Sequence, residues 1–230
     1  MSEIKYIIKF IRKEKYAEEF MNNRTFYANP VGFFLNLEEG QGDNAEASII
    51  DKPLDKVSKD IQVIDMKNGT YIPVFCCYAV TDKDINGTCI INIDKRCIND
   101  FFDGKEGVAV VVEFDSFIKS VNSCIEVDKH GRVQYTKAIT FDETVAYSLD
   151  PYLAVFRKKD KFDYQKEYRI AFKDNIKGVL KEKNNGVYID YEGCGKRYYY
   201  EKNLNIIGQY KIEDFTEKNG VYFLDTNYKL

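Results

Sequence analysis

The stretch Tyr164-Gln165-Lys166-Glu167-Tyr168-Arg169-Ile170-Ala171-Phe172 reads as a β-strand with two unlike faces. Side chains alternate along a strand, so Gln165, Glu167 and Arg169 share one face, and Tyr168, Ile170 and Phe172 the other. The second set can bury against a core. The first places an amide, a carboxylate and a guanidinium in a row, about 7 Å from one to the next at strand rise. The row is expected to face a cleft shared with the segments 5–10 and 73–80.

Other segments repeat the strand signal. Gly107 to Phe114 is β-branched and nearly continuous, and Tyr71 to Thr81 is apolar enough for a buried central strand. Weaker strands are expected over 4–10, 25–28 (stopped by Asn29-Pro30), 87–93, 176–180, 187–191 and 197–200, with one more in the tail 204–230. A hairpin is expected over 124–140, turning at Lys129-His130-Gly131-Arg132.

Helices are expected over 12–22, with Tyr16 and Phe20 on the buried side, over 95–103, and over 116–123 behind Asp115 or Ser116 as N-cap. Asp150-Pro151 supplies an acidic cap and a proline at the first helical position, for a helix to about Phe156. No repeat or linker is visible. The sequence therefore predicts one α+β domain over 1–230, with mostly antiparallel sheet and a few short helices.

Composition narrows the function classes. Aromatics reach 15%, as 18 Tyr and 16 Phe without Trp, which suits a β-rich body. The net charge of -3, with basic residues spread along the chain, removes a general electrostatic case for nucleic-acid binding. No run approaches a membrane span, and the apolar stretch in Met1 to Phe10 is too short and interrupted for a signal peptide. The expected location is cytoplasmic, with no membrane partner. Six cysteines without a Cys-x-x-Cys pair, and the single His130, suit small buried hydrophobes better than zinc ligands.

Several constellations could carry chemistry. Glu38 to Glu46 holds two glycines and four carboxylates, either a solvated loop or a divalent-cation site, or a surface that mimics nucleic acid. Glu113, Asp115, Glu167 and Lys166 supply nuclease-like residue types, but Lys166 would face away from Glu167 on a strand. Tyr188, Tyr191, Tyr198, Tyr199 and Tyr200, beside Lys196 and Arg197, could stack bases or simply fill a core. Cys77 lacks a histidine partner as a nucleophile. Gln165 and Glu167 form a Gln-x-Glu pair entering an apolar strand, which is also the pattern of a solvated strand face.

The order of motifs resembles a broad family of poorly characterised bacterial and phage proteins. It runs from the strand Tyr6 to Phe10 through a Phe-rich turn (Phe26 to Phe34) to a Gly-Asp-x-x-Glu acidic turn (Gly42, Asp43, Glu46). The aromatic strand Val74 to Val80, the strand Val111 to Asp115 and Tyr-x-x-Glu-Tyr-Arg follow. That family is similar in layout to the ADP-ribosyltransferase fold, whose catalytic signature includes a Gln-x-Glu pair. The resemblance implies an NAD or related nucleotide cofactor, with Glu167 as the catalytic carboxylate and Gln165 orienting the acceptor. Lys9, Tyr78 and Arg169 would line the NAD cleft. The acceptor would be a protein or a nucleic acid, in a setting of antiviral defence or anti-defence. A second implied reading is a non-catalytic binding or inhibitory protein on the same scaffold. The first strand carries Lys9 and nearby Arg12 where that fold has Arg or His, and Cys76-Cys77-Tyr78 stands where it has Ser-Thr-Ser or a Tyr.

Overall fold

A computed structural model describes residues 2–35, 48–51, 62–65, 69–87, 89–102, 107–136, 150–183 and 186–227. The acidic loop 38–46 lies outside them. The chain is α+β, with mostly antiparallel sheets and a few short helices.

The elements that position the site begin with β1 (Ile4–Ile11), α1 (Glu14–Asn22) and β2 (Thr25–Pro30). After α2 (Val31–Leu35), β3 (Ser48–Asp51) and β4 (Gln62–Asp65), the chain enters β5 (Pro73–Thr81). β6 (Ile85–Asn86), β7 (Ile90–Asp94) and α3 (Lys95–Phe102) lead into β8 (Val108–Glu113) and α4 (Phe114–Asn122). β9 (Val127–Arg132), β10 (Gln134–Thr136), α5 (Pro151–Val155) and β11 (Arg157–Lys159) precede β12 (Glu167–Phe172). The remaining strands are β13 (Val179–Lys183), β14 (Gly186–Asp190), β15 (Lys196–Tyr199), β16 (Ile206–Lys211), β17 (Phe215–Lys218) and β18 (Val221–Asp225).

The main sheet runs β15-β2-β5-β1-β8-β16, with β12 and then β9 added on the other edge of β5. Its middle strands are apolar on both faces because both faces are covered. On one face Ile7, Phe75, Val110, Val112 and Ile170 pack against Ala17 and Phe20 of α1 and Phe117 and Val121 of α4. On the other, Ile8, Phe10, Val80 and Val111 meet Cys97, Ile98 and Phe102 of α3, with Ile91, Ile93 and Leu224 from a smaller sheet ordered β17-β18-β7-β6.

Three expectations are corrected. Residues 129–132 form no turn: they lie within β9 and pair in continuous register with Ala171 back to Tyr168 of β12, Ile170 opposite His130, before the register shifts between Ala171 and Phe172. His130 Nδ1 sits 2.6 Å from the Tyr168 hydroxyl, a cross-strand contact that the turn reading had no place for. The helix after β8 starts at Phe114, with Glu113 as N-cap, and Ser116 Oγ donates to the Glu113 carbonyl rather than capping from in front. Tyr16 is an exposed residue on α1, whose buried side is Ala17 and Phe20. The Asp150 cap forms as expected, accepting from the Tyr152 amide at 3.1 Å.

Candidate functional site

The main sheet forks at β5. One edge of β5 is shared by two strands: β1 pairs from Thr81 down to Tyr78, and β2 pairs only at Val74 and Pro73. Backbone groups alternate sides along a strand. The Ala79 amide donates to Lys166 on the β12 side, so the backbone of Cys76 faces the fork. There the Cys76 carbonyl accepts the Lys9 ammonium at 2.7 Å, and the same ammonium lies 4.2 Å over the Phe75 ring. Burial holds the Lys9 amine below its ordinary basicity, against the opposing pull of Cys76, Cys77 and Glu167.

A cavity of about 840 Å³ passes through this fork. Its wall includes Lys9, Tyr78, Gln165, Glu167 and Arg169 together. The opposite face of β12, Tyr168, Ile170 and Phe172, is buried in the first core. The alternation read from the sequence thus holds from Glu167 onward. Gln165 is a correction. It ends a 3-10 turn, Asp160–Gln165, and Lys166 then takes a left-handed conformation with φ 41°, so the strand begins at Glu167. That reversal sends Lys166 to Asp84 instead of along the strand face.

Glu167 is not a solvated strand residue. One oxygen accepts Lys158 Nζ at 2.8 Å and the other accepts Arg169 Nε at 2.7 Å. All three side chains are at most 8% exposed. Lys158 also donates to Gln165 Oε1 at 2.8 Å, Gln165 donates to Asp100, and Arg169 reaches the Val155 carbonyl at 2.6 Å. Burial alone would raise the Glu167 pKa, but the charges of Arg169 and Lys158 and their hydrogen bonds outweigh it and bring it down to about 2.

Lys158 is the partner that sequence reading missed. Arg157-Lys158-Lys159 looks like a solvated charge run, yet Arg157 and Lys158 are each 6% exposed. The placement comes from β11 pairing in parallel with β10, a long-range contact with no local signature. Glu19, on α1, also went unread, and Arg197, on β15, was read only as a basic neighbour of the tyrosines; both line the cavity and pair at 2.6 Å.

The nuclease constellation is not assembled. Glu113 lies on β8, and β1 and β5 separate β8 from β12, roughly 14 Å at about 4.8 Å per strand step. Glu113 is hydrogen-bonded to Asn205 instead. Tyr191, Tyr198 and Tyr200 are buried, and Tyr199 is exposed. Burial pushes the Cys77 thiol well up, so it is a poor nucleophile. Among the described residues no group of three or more His, Cys, Asp or Glu could hold a metal, and no helix is long and apolar enough to cross a membrane.

Tyr78 contributes its ring to the cavity wall, but its buried hydroxyl has no hydrogen-bond partner among the described residues. The carboxylates acting on that hydroxyl, Asp84 and Asp94, are not part of the wall. An unmade buried hydrogen bond costs about 1–3 kcal/mol. Tyr78→Phe is therefore expected to raise unfolding stability by about 1 kcal/mol in urea titrations. A loss of stability would show that the hydroxyl has a partner.

Comparison with protein-family models, curated proteins and solved structures finds no match to this chain.

Proposed function

We propose that the forked cavity binds NAD or a related nucleotide, on a scaffold of ADP-ribosyltransferase-like layout, as a binding protein rather than a transferase. The observation that carries this reading is the charge of the wall. Its described residues include six cationic side chains (Lys9, Arg12, Lys13, Lys158, Arg169 and Arg197) against three carboxylates, in a chain of net charge -3. A low-dielectric cleft with a local cationic excess concentrates anions. Its volume falls in the range of small-molecule sites, about 300–1,000 Å³. Aromatic rings share the wall with the cations, and Phe10 stacks on Phe101 at 4.9 Å. This mixture suits a ligand with phosphates and flat bases.

The clamp on Glu167 favours binding over transfer. A carboxylate that stabilises an oxocarbenium-like centre must offer unspent negative charge to it. Glu167 already carries two cationic partners. The transferase reading keeps one point in its favour, since Glu167, Lys9 and the Tyr78 ring line the same cavity.

The test is a titration with NADH followed by its own fluorescence, which no Trp of this chain overlaps. Wild type is expected to bind, and Lys9→Met to bind about tenfold more weakly with an unchanged circular dichroism spectrum. Equal affinities, or no binding by wild type, would count against the proposal. Labelled NAD with host lysate addresses transfer: none is expected, and transfer that Glu167→Gln abolishes would restore the catalytic reading.

A further inference from the structure

The mouth of the cavity holds a charge pair that is separate from the buried clamp. Arg197 Nη2 lies 2.6 Å from Glu19 Oε2, linking β15 to α1 across 178 residues of sequence. The Arg197 guanidinium also sits 5.5 Å from the ring centre of Tyr27. Arg197, Glu19, Tyr27 and Tyr16 all line the cavity. Tyr16 and Tyr27 are 44% and 43% exposed, among the few large rings left in water. The Tyr27 hydroxyl lies close against Gly195, where a Cβ would stand 2.2 Å from it.

We infer that Arg197, with Glu19 as its built-in competitor, selects a nucleotide that carries a phosphomonoester, of NADP type in preference to NAD type. The inference rests on the nucleotide reading above. A guanidinium already paired with a carboxylate gains little from a second monoanion. A phosphate diester carries one negative charge, as the carboxylate does, so exchanging one for the other leaves the local charge unchanged. A phosphomonoester carries close to two negative charges and three acceptor oxygens near neutral pH, and Arg presents a planar fork that can meet two of them. Glu19 is partly exposed, so water can solvate it once it is displaced, and giving up its pair costs little. The exposed rings offer a stacking face for the adjoining base.

NAD and NADP differ by one ribose phosphomonoester, so paired titrations isolate it. Wild type is expected to bind NADP about tenfold more tightly than NAD. Arg197→Gln should remove the preference by weakening NADP. Glu19→Gln should keep the preference and tighten NADP, because the phosphomonoester no longer has to displace a carboxylate from the guanidinium. Arg197→Lys, which keeps the charge but loses the fork, should lie between wild type and Arg197→Gln. Equal wild-type affinities for NAD and NADP would overturn the phosphomonoester inference and leave the nucleotide reading standing. A preference that survives Arg197→Gln would likewise overturn it, assigning the preference to another cation. Binding of neither nucleotide would overturn both.

Discussion

Glu167→Ala is expected to lower unfolding stability by about 3–5 kcal/mol, the range for removing one partner of a buried ion pair. The substitution leaves Lys158 and Arg169 facing each other across the space the carboxylate filled. For a chain of this length, about 2–4 °C of melting temperature accompanies each kcal/mol, so the midpoint should fall on the order of 10 °C. The pH dependence has a fixed sign. The folded Glu167 pKa of about 2 lies below its ordinary value of 4.5, so its contribution is complete above 4.5 and is lost as pH falls toward 2. That contribution is of order 3 kcal/mol. Urea titrations of wild type and Glu167→Gln should therefore differ most at pH 7 and converge near pH 2. A gap that stays constant from pH 7 to pH 2 would show that the charge of Glu167 is not what stabilises the fold.

Phe26→Ala should cost a similar amount, about 3–5 kcal/mol, through a cavity rather than a charge. Phe26 is fully buried on β2 and touches four rings, with centroids 4.6 Å from Tyr200, 5.1 Å from Phe75, 5.9 Å from Phe117 and 6.4 Å from Phe172. β2 joins β5 by only two residue pairs, so ring packing does much of the work of holding this wall of the fork. The variant should show a lower urea midpoint with an unchanged slope, and weaker NADH binding because the wall moves. Intact stability would mean the four rings collapse into the space without loss.

Much of the fold was legible because its signals are local. The β-branched run at 107–114 and the apolar run at 71–81 became β8 and β5, within two residues of their expected bounds. Asp150-Pro151 began a helix because cap and proline act on the first turn alone. The failures involve tertiary pairing. Lys129-His130-Gly131-Arg132 has turn composition, but β12 offers a ladder partner to every one of these residues and extended backbone wins. In the tail, one strand was expected and three formed, since β18 pairs with β7, more than a hundred residues earlier, and β17 pairs with β18 in turn.

The site was legible in half. Alternation gave the shared face of Glu167 and Arg169, because that rule needs only the strand. It could not give the clamp, because Lys158 arrives on a three-residue strand whose composition mimics a solvent face. It also put Gln165 on the strand, where the residue instead ends the preceding turn and still lines the cavity beside Glu167. The left-handed residue at Lys166 breaks the strand just before the motif, and nothing in the side chain of lysine announces that conformation.

The smaller sheet carries a consequence for biogenesis. β18 is not an edge addition: it lies between β17 and β7, with Val221 paired to Asp94 and Asp225 to Ile90. During synthesis β7 emerges about 130 residues ahead of that partner, with, among the described residues, only the two-residue β6 to pair with meanwhile. At typical elongation of about 5–20 residues per second, its apolar edge waits on the order of ten seconds for closure. The second core, which Leu224 completes from β18, therefore cannot be sealed until residue 225 has left the ribosome. Nascent chains stalled before that point should remain sensitive to protease at α3 while the face built on β1, β5 and β8 is already protected.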